Sequence, residues 1–361
     1  MPLRPDVLLL IGTSKGLFVL DHHGELSNPV AGGASVPAVA FDARRRRMLA
    51  GKTSFFWGTG VIYSDDLGRS WVESEAPNLR FPDDIEASLK QAWQITPGTA
   101  SEPDVVYVGA EPASLFRSTD GGQTFELVRG LWDHPHRPTW QPGGGGLCLH
   151  TILADERDPK KLTVAISTGG VYRSDDAGES WRASNQGIRA DFMPEDQRYP
   201  EYGQCVHKVA RDATRPDTLF LQNHGGLYRS DDYGATWNDI GNGVPSDFGF
   251  PMVAHPHKSG TAYCIPNGDA FNRWTPDARC RVYRTSNGGQ AWEALECGLP
   301  QKDAYITVLR DAFASDQQDP AGLYFGTRSG ELYGSNDDGE RWELLAEHLP
   351  PILTVRAANL G

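Results

Sequence analysis

The chain has 361 residues, a formal net charge of −13 and no basic stripe, which argues against nucleic acid and anionic membrane as partners. Its 40 glycines and 25 prolines come without low-complexity sequence and point to many tight turns rather than disorder. The cysteines (Cys148, Cys205, Cys264, Cys280 and Cys297) are odd in number and contain no CxxC pair, so neither a disulfide framework nor a zinc ribbon is expected.

The first apolar run, residues 7–11, is five residues long and too short for a signal segment. No stretch reaches transmembrane length, so a soluble cytoplasmic chain is expected. Residues 7–12 read as one strand and Gly16–Leu20 as the next, followed by a hairpin turn at 21–24. The run Arg44-Arg45-Arg46-Arg47 reads as a solvated turn between two strands.

From Ser64 onward one pattern recurs six times: Ser/Thr-x-Asp/Asn-x-Gly-x-x-Trp/Phe. The copies start at Ser64, Ser118, Ser174, Ser230, Thr285 and Ser335, with steps of 54, 56, 56, 55 and 50 residues. Each follows a short apolar strand such as 170–173. In each, the Ser and Asp can bond nearby backbone N–H groups, Gly supplies a positive φ, and the aromatic opens the next strand. Between two earlier strands of each unit lies an Asp-x-x-x-Pro-like turn, as at Asp155 to Pro159, Asp212 to Pro216 and, more loosely, Asp316 to Pro320.

Each unit is therefore a four-stranded antiparallel meander that cannot bury both faces alone, and radial repetition solves this. Six turns account for six blades. The N-terminal strands lack an inner partner, and residues 351–357 supply it. The expected fold is all-β: a single seven-bladed β-propeller over residues 1–361, in which the last strand closes the first blade.

The six turns resemble the Asp-box, or BNR, repeat of the sialidase-like superfamily, and the resemblance runs from about residue 7 to 357. It implies a propeller and a structural role for Ser174, Asp176 and their equivalents, on the face opposite an active site. Sortilin-type receptors, xyloglucanases and photosystem II assembly factors share such boxes, so the resemblance does not specify an activity. Sialidases also carry an N-terminal Arg-Ile-Pro segment, which is absent here. Arg310 is the one candidate for their substrate-carboxylate arginines.

Meander geometry places the inner-strand entries and the second-to-third-strand loops on one face. The long loops 79–86, 132–146 and 189–202 elaborate that face. The glycine run 143–146 has no following Lys-Ser/Thr and is not a phosphate loop. His150 and His207 occupy equivalent inner-strand positions in adjacent blades, and His224 emerges at the same face. With Glu195, Asp196, Glu201 or Asp311 they form a candidate metal site for zinc, manganese or calcium, or a metal-free base and clamp. Alternatively, His150 and His207 are channel-wall residues. Arg310, Asp311, His150, His207 and Glu201 are the catalytic candidates. Trp93, Trp140, His134, His136, Glu111 and Arg328 are the candidates for substrate contact. Asp133, Glu195 and Asp196 are further candidate carboxylates and Asn267 a further polar group.

Two classes of function follow. One is a hydrolase acting on a small carbohydrate-like or carboxylated ligand at the channel mouth, through a carboxylate pair or as a histidine- and metal-dependent hydrolase or lyase. The other is a non-catalytic scaffold holding a protein or peptide on the same face. Clustered histidines and acids, with few exposed apolar loop residues, favour the enzyme.

Overall fold

The recurring turn closes a hairpin through its own side chains. Ser174 Oγ accepts the Gly178 N–H at 2.8 Å and donates to Asp176 Oδ1 at 2.7 Å. The Asp176 carboxylate in turn accepts the Ser180 N–H at 2.9 Å and hydroxyl at 2.5 Å. Gly178 has φ +95°, a conformation that costs glycine little. The Ser–Asp–Gly contacts recur at Ser64, Ser118, Ser230 and Ser335. At Thr285 the amide oxygen of Asn287 replaces the carboxylate.

The computed structural model describes residues 3–56, 58–75 and 77–361. The strands form seven separate antiparallel sheets, the blades of a propeller, and five of these are four-stranded meanders. In the other two the outermost strand shrinks to isolated bridges, Tyr63 with Val72 in the blade that begins at Ser35, counted as the first from here on, and Leu20 with Leu26 in the closing blade. The closing blade joins both chain ends: Ile352–Asn359 pairs antiparallel with Val7–Thr13, placing Leu9 opposite Ala357. Neighbouring inner strands touch all the way round: Ser35–Asp42, Gln91–Pro97, Leu149–Asp155, Val206–Arg211, Gly249–Ala254, Phe313–Ser315 and Ile352–Asn359.

The core lies between blades rather than in one central mass. Trp237, 3% exposed, packs with Val171 and Ile188 of the preceding blade, and its indole N–H donates to the Ser184 carbonyl at 2.9 Å. Trp292 repeats the bond to the Ile240 carbonyl at 2.7 Å. Burying a side chain of this size stabilises by roughly 2–3 kcal/mol per blade contact.

The basic run at 44–47 does form a strand-to-strand turn, but its arginines are engaged. Arg44 pairs with Asp42 at 2.7 Å, Arg45 with Asp104, and Arg47 with Asp65 at 2.6 Å. Among the described residues no helix is long and apolar enough to cross a membrane.

Candidate functional site

Inner strands of several blades are bulged at one level. The extra residue is Trp93 in the second blade, His150 in the third and His207 in the fourth. Similar register shifts interrupt Ser35–Asp42 and Gly249–Ala254. A bulge re-aims side chains, so consecutive residues can both serve the channel. Trp93 and His207 line a cavity of about 570 Å³ at the channel mouth. The next residues, Gln94 and Lys208, meet each other across the channel, with Nζ to Oε1 at 2.9 Å.

The cavity opens on the face that the loops elaborate. Ser14, Ser167, Thr168, His224, Arg273 and Arg328 reach it from second-to-third-strand connections. Gly143 to Gly145 and Phe192 reach it from loops entering inner strands. It is a concave site on a rigid ring, the usual setting for a small ligand.

Its electrostatics run against the acidic whole. Arg310, 8% exposed, lies between two rings, with Cζ 5.5 Å from the Trp93 centroid and 5.4 Å from that of Phe250. Among the described residues its Nε has no hydrogen-bond partner and its guanidinium no ion pair. Arg273 and Arg328 also lack a carboxylate partner among the described residues. Asp311, the one carboxylate among the cavity-lining residues, is already engaged by Lys208 at 2.8 Å and Arg356 at 2.6 Å. Burial alone would raise the Asp311 carboxyl, but Lys208 and Arg356 outweigh it and hold it below the usual range. Asp311 is therefore ionised and is no proton donor.

Beside Arg310, Cys205 Sγ faces His207 Nε2 at 3.7 Å, and His224 completes a group whose ligand atoms all lie within 4.8 Å of one another. Burial, reinforced by Arg310, pushes His207 well below the usual histidine range. Burial and then Arg273 lower His224. Both imidazoles are neutral near pH 7 and keep a lone pair. Burial raises the Cys205 thiol.

The sequence candidates divide. Trp93, His207, His224, Arg310, Asp311 and Arg328 converge on the cavity. His150 does not: it is fully buried, and its Nε2 bonds the Val206 carbonyl at 2.8 Å, fastening the third blade to the fourth. The expected pairing of His150 with His207 and His224 is thus replaced by Cys205 with the same two. Trp140 is no stacking floor. It is 4% exposed in the core, and its indole N–H donates to the Tyr172 hydroxyl at 3.0 Å. His134 donates through Nε2 to the Trp181 carbonyl at 3.2 Å, and His136 stacks on Tyr202 at 3.8 Å, so both brace a loop rather than face the cavity. Glu111 is buried behind the mouth, accepting from Trp93 Nε1 and Lys90 Nζ, each at 3.1 Å. Glu201, Glu195 and Asp196 are exposed and do not line the cavity, and neither do Asp133 and Asn267.

Sequence reasoning missed Cys205, Arg273, Phe248 and Phe250. The first carried a signal: Cys205 and His207 stand two apart at a strand entry, where alternate residues share a face. Cys148 and His150 repeat that spacing one blade earlier and are sealed in the wall, so the spacing alone does not separate ligand from lining.

No family model matches the chain. A xyloglucanase from Hypocrea jecorina (strain QM6a) is 26% identical over 253 residues, 65% of this chain and 29% of that protein. Xyloglucanase Xgh74A from Acetivibrio thermocellus is 27% identical over 207 residues, 51% of this chain and 23% of its own. The chain thus spans under a third of the length of these curated relatives. Among solved structures, an ancestral GH74 enzyme superposes on 95% of this chain and 39% of its own with a TM-score of 0.55 at 16% identity. YCF48 bound to D1 peptide covers 95% of this chain and 86% of its own, also at TM-score 0.55, with 13% identity. At these identities the structural likeness shows the propeller fold alone.

Proposed function

We propose that the protein is a carbohydrate-acting hydrolase whose ligand is an acidic saccharide, held at the channel mouth by Arg310. The observation that carries this reading is the buried guanidinium of Arg310, which has no anionic partner among the described residues. A charge withdrawn from water without a counter-ion is costly, and a ligand carboxylate removes that cost through a two-pronged bond that suits arginine. Arg273 and Arg328 widen the cationic rim, and Trp93, Phe248 and Phe250 offer faces to a sugar ring. The xyloglucanase relatives support a hydrolase acting on carbohydrate.

Asp311 is oriented and ionised, which suits stabilisation of positive charge developing at a sugar carbon. It lacks a second carboxylate facing it among the cavity-lining residues, so a carboxylate pair is not assembled there. Binding of acidic against neutral oligosaccharides by the wild type and Arg310→Met tests the reading, followed by product analysis for released sugar.

A second reading, a peptide-holding face, is favoured by one observation. Phe55, Phe56 and Phe271 are 97%, 83% and 94% exposed, and Tyr305 is 64% exposed, on loops of the cavity side. Exposed apolar loop residues are thus more numerous than expected from sequence. Binding of peptide in preference to saccharide would decide for this reading.

A further inference from the structure

We propose that Cys205, His207 and His224 bind one zinc-class transition-metal ion, with its fourth coordination position open to the cavity. The inference rests on reading the cavity as a reaction site, and it supplies the water-activating group that a carboxylate pair does not provide there.

The spacing fits. A tetrahedral ion with metal–sulfur and metal–nitrogen bonds of about 2.3 and 2.0–2.1 Å holds those two ligand atoms roughly 3.6 Å apart. Cys205 Sγ and His207 Nε2 stand 3.7 Å apart, and the His224 nitrogen lies within 4.8 Å of both. A rotation of the half-buried His224 ring closes the remaining gap.

The protons are arranged for it. The Gly249 carbonyl can only accept, so the 2.5 Å bond to His207 Nδ1 places the proton there and leaves the Nε2 lone pair facing Cys205. A backbone carbonyl behind a ligating imidazole is the arrangement that fixes tautomer and ring orientation at metal sites. The His224 ring has no hydrogen-bond partner among the described residues, and edge contacts to Phe248 at 5.1 Å, His207 at 5.5 Å and Phe192 at 6.5 Å orient it. Its backbone N–H donates to the Cys205 carbonyl at 2.9 Å, which ties two of the ligands together.

One thiolate and two imidazoles suit zinc or copper and not calcium or magnesium, and three protein ligands with an open position is the pattern of reactive zinc sites. On binding, the Cys205 S–H bond breaks, its proton leaves to solvent and a metal–sulfur bond forms, with no change in oxidation state. The resulting thiolate offsets one of the two charges beside Arg273 and Arg310. An anionic ligand on those arginines offsets more, so metal and acidic ligand should reinforce each other's binding.

The test is titration of the chelator-treated full chain with Co²⁺, read by absorption. One equivalent should bind with a thiolate-to-cobalt charge-transfer band that Zn²⁺ abolishes. Cys205→Ser should lose the band while keeping its far-UV circular dichroism, and His224→Ala should weaken Co²⁺ binding at least tenfold. Cys297→Ser and His150→Ala should retain the band. No band in the wild type, or a band that survives in Cys205→Ser, overturns the proposal. Saccharide binding by the metal-free protein is scored separately: if it persists and depends on Arg310 while no Co²⁺ binds, the metal site alone is wrong.

Discussion

Lys208 Nζ lies 2.8 Å from Asp311 Oδ1, joining the inner strand of the fourth blade to the segment that enters the inner strand of the sixth, across the channel beneath the cavity. Gln94 and Arg356 complete the cross-brace from the second and the closing blades. Four of seven blades thus share one polar network, three of them through charged side chains, and the floor of the cavity is also a structural tie.

Asp311→Asn leaves two cations facing a neutral amide and should destabilise by about 3–5 kcal/mol. Lys208→Met leaves Asp311 still paired with Arg356 and should cost less, about 1–3 kcal/mol. Urea unfolding of both variants checks the order. The reverse order would mean that Asp311 is not the hub.

Arg310→Met keeps the stem between Trp93 and Phe250 but removes the charge. Affinity for an acidic saccharide should fall at least tenfold, the range for a lost charge-assisted pair, with the melting temperature unchanged or raised because an uncompensated charge is gone. Calorimetric titration with acidic and neutral oligosaccharides of equal length reads this. Equal losses for both ligands would argue against carboxylate recognition.

The recurring turns predict an acid limit. The hydroxyl and N–H of Ser180, with the hydroxyl of Ser174, hold Asp176 down to about 2, and equivalent donors hold Asp66 and Asp120 at about 2. These folded values lie below the unfolded value of about 3.9, so their contribution is complete above about pH 4. It is lost as pH falls from about 4 to about 2. Asp176→Asn should flatten that decline without opening the turn, because Asn287 already fills the role at the fifth copy. Thermal melts across pH 2–6 compare the slopes.

His150→Ala should lower stability by about 2–4 kcal/mol through the lost bond to the Val206 carbonyl and the void left behind. Ligand affinity should not change. A variant that melts normally but loses turnover would return His150 to the site.

What the sequence by itself determined is what short-range bonding builds. Ser174, Asp176 and Gly178 make their contacts within a few residues, so six spaced copies sufficed to read six blades, and N-terminal strands left without an inner partner pointed to the last strand as the one that closes the ring. The face of the site was legible for the same reason, since meander geometry orders the loops. Which residues of that face meet was decided by the tertiary structure alone. His150 and His207 are equivalent in the repeat, yet the one is sealed in the wall and the other lines the cavity. Among the described residues Arg310 has no ion-pair partner, and its chain neighbour Asp311 is taken by Lys208, 103 residues away in the chain. Such pairings depend on bulges and on packing between blades, and no local pattern encodes a contact over that distance.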